Sequence, residues 1–92
     1  MIHLILSSPF LTQDLEQALR YRSQGDALVL MQDAVLAAVS PLWQARLASE
    51  RLYVMSDDLA ARGLGQGSGL PLTLGELVAL IEAEGSPHTW SC

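Results

Sequence analysis

Lysine is absent from this chain of 92 residues, and its five basic residues are all arginine. A Walker-type phosphate loop needs a lysine that contacts the phosphates, and Schiff-base catalysis needs a lysine amine, so both chemistries are excluded. Ten acidic residues leave a net charge of −5. Because a protein that binds a nucleic-acid backbone needs clustered positive charge, we expect no direct nucleic-acid partner.

Cysteine is almost absent as well, since the chain has one, Cys92, as its last residue. An internal disulfide cannot form, and a reducing cytoplasm is therefore the expected compartment. The opening apolar run of residues 1–6 has no basic flank and is too short for a signal peptide. No stretch is long enough to cross a membrane, so we expect a cytoplasmic protein with no membrane partner.

Apolar residues, by contrast, make up half of the chain. The length predicts a single domain spanning residues 1–92. A domain of this size leaves much of its surface exposed, so it cannot hide all of that apolar area inside itself. The excess predicts a surface for a partner, either a second copy of the chain or another subunit.

The most informative stretch is the apolar run Ala27–Met31, which follows the turn formers Gly25 and Asp26. An unbroken apolar run of this length is typical of a strand that is covered on both faces, as in a parallel sheet. Gln32 and Asp33 would then lie at the carboxyl end of the strand, which is the functional edge of such sheets. Asp33 can also cap the next helix, and we favour the cap because it needs no partner outside the chain.

Strand and helix signals alternate along the chain. The predicted strands are residues 2–6, 27–31 and 51–55, with a short edge strand at 70–72. The predicted helices run over 12–22 with Thr12 as cap, over two short pieces opened by Asp33 and by Ser40-Pro41, over 57–62 with Ser56 as cap, and over 74–84. Thr73 and Glu76 match a capping box at the last helix, and residues 86–92 are left as a tail.

This order predicts a small doubly wound α/β fold with a mostly parallel sheet of about four to five strands flanked by helices. Helical spacing places two sets of apolar side chains on buried helix faces. They are Leu11, Leu15, Ala18 and Leu19 in the first helix, and Leu74, Leu77, Val78 and Ile81 in the last.

The glycine-rich run of residues 63–69 invites a nucleotide-binding interpretation, but its pattern does not fit. Ser68 stands where the third glycine of GxGxxG belongs, and the run follows a helix and leads into a strand. We interpret it as a flexible loop that could lie at an interface. His3, alone in the first strand, is interpreted as a hydrogen-bonded core residue, and Phe10, Tyr53, Trp43 and Trp90 as core or interface anchors.

Cys92 is the one candidate for covalent chemistry. A thiol at a chain end could carry sulfur, although no basic residue adjoins it in sequence to favour the thiolate. His88 and Cys92 are four residues apart, yet Pro87 disfavours a helix there and two ligands without a third make a poor zinc site. We therefore expect no metal and no cofactor.

The chain resembles the TusB/DsrH-like family nearly from end to end. The resemblance is carried by residues spread along the chain: His3, Ser8-Pro9-Phe10, Gly25-Asp26, Gln32-Asp33, Ala37-Ala38, Asp57-Asp58, Ala61-Arg62-Gly63-Leu64 and Trp90. It implies the DsrE/DsrF/DsrH fold type and a place in a hetero-oligomer, a heterohexamer, with homologous TusC-like and TusD-like subunits. Such a complex relays persulfide sulfur toward 2-thiolation of the tRNA wobble uridine.

The resemblance also implies that this chain has no catalytic residue. Family members from sulfur-oxidising bacteria carry a cysteine in the first helix, where this chain aligns Ala18. In the tRNA-modifying branch, the working cysteine belongs to the TusD-like subunit. The expected role is thus that of a non-catalytic subunit. Two alternatives stay open, a persulfide carrier acting through Cys92 and a self-associating α/β binding domain.

Overall fold

The computed structural model describes residues 1–90, in which five strands form one sheet with helices on both faces. The strands are β1 Ile2–Ile5, β2 Ala27–Leu30, β3 Arg51–Met55, β4 Leu70–Leu72 and β5 His88–Trp90. The α-helices are α1 Asp14–Tyr21, α2 Pro41–Leu47, α3 Ser56–Ala61 and α4 Leu74–Glu84, and a 3₁₀ helix spans Gln32–Val39.

Every strand pairing in the sheet is parallel, and the spatial order is β4-β3-β2-β1-β5. The chain builds outward from β1 to β4, and α4 then carries it back to β5 on the other side of β1. The predicted doubly wound α/β fold is confirmed. Within residues 1–90, no helix is long and apolar enough to cross a membrane.

The two faces of the sheet are covered unequally. One face packs against α1, the 3₁₀ helix, α2 and α3, through a core cluster that includes Leu15, Val35, Leu47 and Leu59. The other face carries a second core cluster, and among residues 1–90 its buried members come from strands, except for Leu77 of α4. The central strand β2 is fully buried between these layers, as its apolar run predicts.

The capping box of α4 is confirmed. The Glu76 amide donates to Thr73 Oγ1 at 3.2 Å, and the Thr73 amide donates to Glu76 Oε1 at 2.8 Å. Two of the four orphan amide donors at the start of this helix thereby find partners. The helix ends before Gly85, which adopts a positive φ of 97°.

Three other predicted caps are wrong. The first helix begins at Asp14 with Gln13 in the cap position, although the Asp14 amide does reach Thr12 Oγ1 at 3.4 Å. Asp33 lies inside the 3₁₀ helix, and its carboxylate pairs with an arginine. Ser56 is the first residue of α3, and its hydroxyl donates to the Leu72 carbonyl at 3.0 Å. In the last two cases a tertiary partner takes the side chain that a local cap would have used.

Three predicted core positions are exposed instead. Leu11 precedes α1 rather than belonging to it, and its side chain is 82% exposed. Leu74 and Val78 of α4 are 62% and 48% exposed, whereas Leu77 of the same helix is buried. A helix that packs on a sheet from one side buries only one stripe of its surface. The apolar residues of α4 occupy more of the helix surface than that stripe, so some of them remain exposed.

The predicted tail contains a strand. Residues His88–Trp90 form β5, which pairs with β1 so that His3 lies beside His88 and Ile5 beside Trp90. A segment of three residues, two of which are polar, gives little local indication of a strand. The strand exists because the open edge of β1 offers backbone partners to it.

The glycine-rich segment is held in place at two points. The Ser68 amide donates to the Ala38 carbonyl at 2.7 Å, and a Cβ atom on Gly67 would lie 2.2 Å from that same oxygen. Gly69 has a φ of 85° and lies against Leu52 and Val54. The glycines at 67 and 69 therefore permit close packing at these two points, which the interpretation of the run as a flexible loop did not anticipate.

Candidate functional site

Ligands of open α/β sheets bind beyond the carboxyl ends of the strands, so this edge is the first place to seek a site. The polar residues there are Ser7 and Ser8 after β1, Gln32 and Asp33 after β2, and Ser56, Asp57 and Asp58 after β3. Gln32 and Asp33 thus lie at the edge where the sequence places them.

Gln32 connects two strand ends through its backbone. Its φ is 50°, a left-handed conformation that side-chain-bearing residues seldom adopt. The Gln32 amide donates to Asp58 Oδ2 at 2.8 Å, which ties the end of β2 to the first turn of α3. A bond to the carboxylate of a neighbouring element stabilises this strained backbone.

Arg62 pairs with two acidic side chains beside Gln32. Its Nε donates to Asp33 Oδ1 at 3.0 Å, and its Nη1 donates to the Asp58 carbonyl at 3.2 Å. The same guanidinium lies 3.7 Å from Asp58 Oδ1. These carboxylates are therefore engaged within the protein, where they hold the start of the 3₁₀ helix against α3.

The polar side chains in the loop after β1 also bond to groups of the same chain. Ser7 Oγ donates to Asp14 Oδ2 at 2.9 Å, and the Phe10 amide donates to Ser8 Oγ at 3.1 Å. The Leu11 and Thr12 amides both donate to the Ser8 carbonyl at 3.1 Å. The serines at this edge thus order the turn that leads into α1.

A shallow cavity of about 220 Å³ lies next to the edge, between α3 and the glycine-rich segment. It is lined mainly by apolar and glycine residues, including Val54, Leu59, Leu64 and Pro71, and no charged side chain of residues 1–90 lines it. Residues 1–90 contain no cysteine, and they place no group of three or more His, Cys, Asp or Glu side chains to hold a metal ion. Cys92, and with it the His88–Cys92 pair, lies outside the described residues.

A second polar cluster is buried toward the amino ends of the strands, near the start of β1 and the turn before β2. His3 is fully buried, and its Nε2 lies 2.9 Å from Asp26 Oδ2. Trp90 Nε1 donates to His3 Nδ1 at 3.1 Å. Since an indole nitrogen can only donate, Nδ1 is the acceptor and is unprotonated, and the Nε2–H group donates a hydrogen bond to the Asp26 carboxylate. The prediction that His3 is a hydrogen-bonded core residue is confirmed.

Asp26 collects three donors at the turn before β2. Besides His3, the Ser23 amide donates to Oδ2 at 3.0 Å and the Met1 amino group to Oδ1 at 2.9 Å. These bonds, with that from His3 the largest, hold the pKa of the Asp26 carboxyl well below its usual range. The network connects the first residue, two strands and, through Trp90, the last described strand.

The rings of Tyr21, His88 and Trp90 surround His3. They also contact one another: the ring centroids of His88 and Trp90 are 4.7 Å apart, and Tyr21 of α1 stacks on His88 at 6.0 Å. Sequence reasoning found His3 and Trp90 separately but not their contact. The only sequence signal for it was a histidine in a strand and a tryptophan near the C-terminus, 87 residues apart.

The all-parallel five-stranded sheet with helices on both faces defines a small doubly wound α/β protein. A sequence profile of the family described as DsrH like protein matches residues 7–84. Protein TusB of Escherichia coli O139:H28 (strain E24377A / ETEC) is 40% identical over 96 residues, covering 98% of this chain and 100% of the relative. Protein TusB of Shigella boydii serotype 18 (strain CDC 3083-94 / BS512) matches with the same identity and coverage. The chain belongs to the DsrH-like family.

The fold has a solved counterpart. The crystal structure of ychN protein from E. coli superposes with a TM-score of 0.70 and covers 97% of each chain at 22% sequence identity. At this identity the likeness concerns the fold. It supports the doubly wound α/β fold of this chain.

Proposed function

We propose that this chain is a non-catalytic subunit of a TusBCD-type sulfur-relay complex that supports 2-thiolation of the tRNA wobble uridine. The observation that carries the proposal is the match to Protein TusB along 98% of the chain. Under this proposal the chain is a single domain that works in the cytoplasm beside TusC-like and TusD-like subunits.

The carboxyl edge of the sheet supports a non-catalytic role. Its Asp33 and Asp58 carboxylates are paired with Arg62, and its serine hydroxyls bond to neighbouring residues of the same chain. No thiol lies within residues 1–90 to accept a persulfide sulfur. Ala18, the position where the family resemblance implies a cysteine in some members, is fully buried in the core.

The surface supports a role in assembly. Large apolar side chains are exposed on several elements: Met1, Phe10, Leu11, Tyr21, Val39, Leu42, Leu70, Leu74 and Val78. Where several of these side chains lie together they form the kind of surface that protein–protein interfaces cover, whereas a single exposed apolar side chain is ordinary. The net charge of −5 favours protein partners over direct contact with tRNA.

The test is the native mass of the tagged chain purified gently from its own cells, with every co-purifying protein identified. Recovery of two homologous α/β subunits in equal amounts supports the proposal. A homo-oligomer without them would support the alternative of a self-associating binding domain, and the relay proposal would be wrong.

Replacing Cys92 with Ser tests the remaining alternative, in which this chain carries the sulfur itself. We expect wobble-uridine thiolation in cells to be unchanged, since the proposal assigns the reactive thiol to a partner. A Ser91→Ala variant is the matched control for a change at the same end of the chain. Loss of thiolation with Cys92→Ser but not with Ser91→Ala would favour the carrier.

A further inference from the structure

In the part of the chain that the structure describes, one side of the sheet is covered by a single helix, α4. Among residues 1–90, the core cluster on this side takes its helical members only from α4, namely Leu77, Leu80 and Ile81. The strand residues that point to this side include Leu4, Val29, Tyr53 and Leu70, which stand in one register row. We call the accessible apolar residues on this side the α4 face: Leu4, Met31, Leu70, Leu74 and Val78.

The register row shows how far α4 reaches. Val29 in the middle of the row is fully buried, whereas Leu4 on one side is half-buried and Leu70 on the other is 64% exposed. Thr89 of the edge strand β5, which lies beside Leu4, is exposed. An 11-residue helix therefore covers the centre of this side and leaves apolar positions toward both edges accessible.

The helix itself extends the apolar surface. Leu74, Val78 and Ile81 recur at the spacing of one helix stripe. Ile81 packs against the core cluster, as do the half-buried Leu4 and Met31, so the stripe continues from the core to the exposed Leu74 and Val78. Continuity with a packed core distinguishes this surface from scattered exposed apolar residues.

The charges around this surface are acidic. The charged residues of α4 are Glu76, Glu82 and Glu84, and the helix has no basic residue. Arg51 at the start of β3 pairs with Glu84. The other four arginines of the chain belong to α1 and its C-cap, to α2 and to the end of α3, which lie in the opposite layer.

We propose that the α4 face binds a homologous relay subunit through an apolar surface rimmed by arginine or lysine. The inference rests on the proposed function and names the surface that this function would use. An acidic rim attracts a basic rim and steers its approach. A second copy of this chain is a poor occupant, because an interface formed by the same face of both copies would bring two acidic rims together.

The experiment measures the affinity of the chain for the two homologous subunits co-expressed with each other, using Leu74→Glu and Glu82→Arg variants. Leu74→Glu places a charge in the apolar interface, and we expect a loss of affinity of about tenfold or more. Glu82→Arg reverses a rim charge, and we expect a loss of about three- to tenfold together with a weaker dependence on salt.

Leu42→Glu is the matched control. Leu42 is 77% exposed on α2, in the opposite layer, so the substitution adds the same charge to an exposed leucine away from the α4 face. We expect its affinity to stay within about twofold of the parent chain. Circular dichroism and the urea midpoint of each variant establish that the fold is retained.

The possible outcomes separate this inference from the proposed function. If the parent chain binds the subunits and all three variants bind equally well, the relay role stands and the α4 face is the wrong surface. Loss of binding with Leu42→Glu alone would overturn the inference in favour of the opposite layer. A parent chain that dimerises, and that Leu74→Glu converts to a monomer, would show that a second copy occupies the face. Failure of the parent chain to bind either subunit would contradict the proposed function itself.

Discussion

The indole Nε1 of Trp90 donates a hydrogen bond to Nδ1 of His3, joining the last described strand to the first at 3.1 Å. His3 is fully buried, and its other ring nitrogen bonds to Asp26. Each polar atom of the ring thus has one partner, one from the turn before β2 and the other from the last described strand. This arrangement leads to the first three predictions.

The tautomer of His3 is the first prediction. Because an indole can only donate, we expect the neutral ring to carry its proton on Nε2 and to keep Nδ1 as an acceptor. Long-range ¹H–¹⁵N correlation spectra of the histidine side chains at neutral pH report this directly. His88, exposed beside the same aromatic cluster, serves as an internal reference. A proton on Nδ1 would contradict the assigned bond with Trp90.

Replacing Trp90 with Phe keeps an aromatic ring and removes the donor. We expect the free energy of unfolding to fall by about 1–3 kcal/mol, since the buried Nδ1 loses its partner. Urea unfolding measures the change.

The control for this variant is Trp43→Phe. Trp43 also packs against the core, but its ring is stacked by the Arg46 guanidinium at 4.7 Å, and no hydrogen bond of its indole is seen within residues 1–90. The same loss of ring area therefore applies without the loss of the bond to His3. Equal destabilisation by the two variants would show that the Trp90–His3 bond contributes little.

The third prediction concerns acid stability. The pKa of Asp26 is depressed from its ordinary 3.8 in the folded protein, mainly by the bond from His3. A depressed carboxyl pKa adds stability at pH values above the unfolded-state pKa, and this contribution is lost as the pH falls toward the folded-state pKa. We expect Asp26→Asn to lower stability at neutral pH and to flatten its decline between about pH 5 and about pH 2.

Asp57→Asn is the matched substitution for this experiment, because Asp57 is exposed in the first turn of α3 and no side-chain hydrogen bond to it is seen within residues 1–90. Its curve of unfolding free energy against pH should keep the slope of the parent chain. Glu16 and Glu84, whose pKa values are lowered by Arg46 and Arg51, contribute to the slope that remains. An unchanged slope in Asp26→Asn would place the acid sensitivity in those surface pairs.

The glycine-rich segment gives the fourth prediction. A Cβ atom on Gly67 would lie 2.2 Å from the Ala38 carbonyl oxygen, whereas one on Gly65 meets no atom within 4 Å. We expect Gly67→Ala to cost about 1–3 kcal/mol of unfolding free energy, because backbone must move to make room. Gly65→Ala, two residues away, should be close to neutral. Thermal unfolding of the two variants measures the difference in stability. Similar unfolding midpoints would mean that the loop accommodates the added methyl group with no loss of stability.

The sequence predicts an element correctly where the interactions that form the element lie within one short segment. The bounds predicted for β3, β4 and α4 agree with those observed, because apolar runs and a capping box act within a few residues of one another. Predictions of single cap residues failed where a distant group competes for the side chain. Asp33 pairs with Arg62 and Ser56 with Leu72, and neither partner can be identified from the neighbouring sequence.

The candidate sites divide in the same way. The placement of Gln32 and Asp33 at the carboxyl edge follows from the position of a buried strand in the sequence. The bond between the Gln32 amide and Asp58 does not, because it depends on the register between β2 and β3. The aromatic cluster around His3 likewise needs β5 to pair with β1 before Trp90 can reach the ring.

Composition and short patterns alone determine the parallel α/β class, the absence of lysine chemistry and the excess of apolar residues, because each depends on which residues are present and how they are spaced. The tertiary structure decides where the apolar excess is exposed and that β5 exists at all. It also decides that His3 is held between Asp26 and Trp90. These features depend on contacts between residues far apart in the chain, whose partners are settled only when the strands pair and the helices pack.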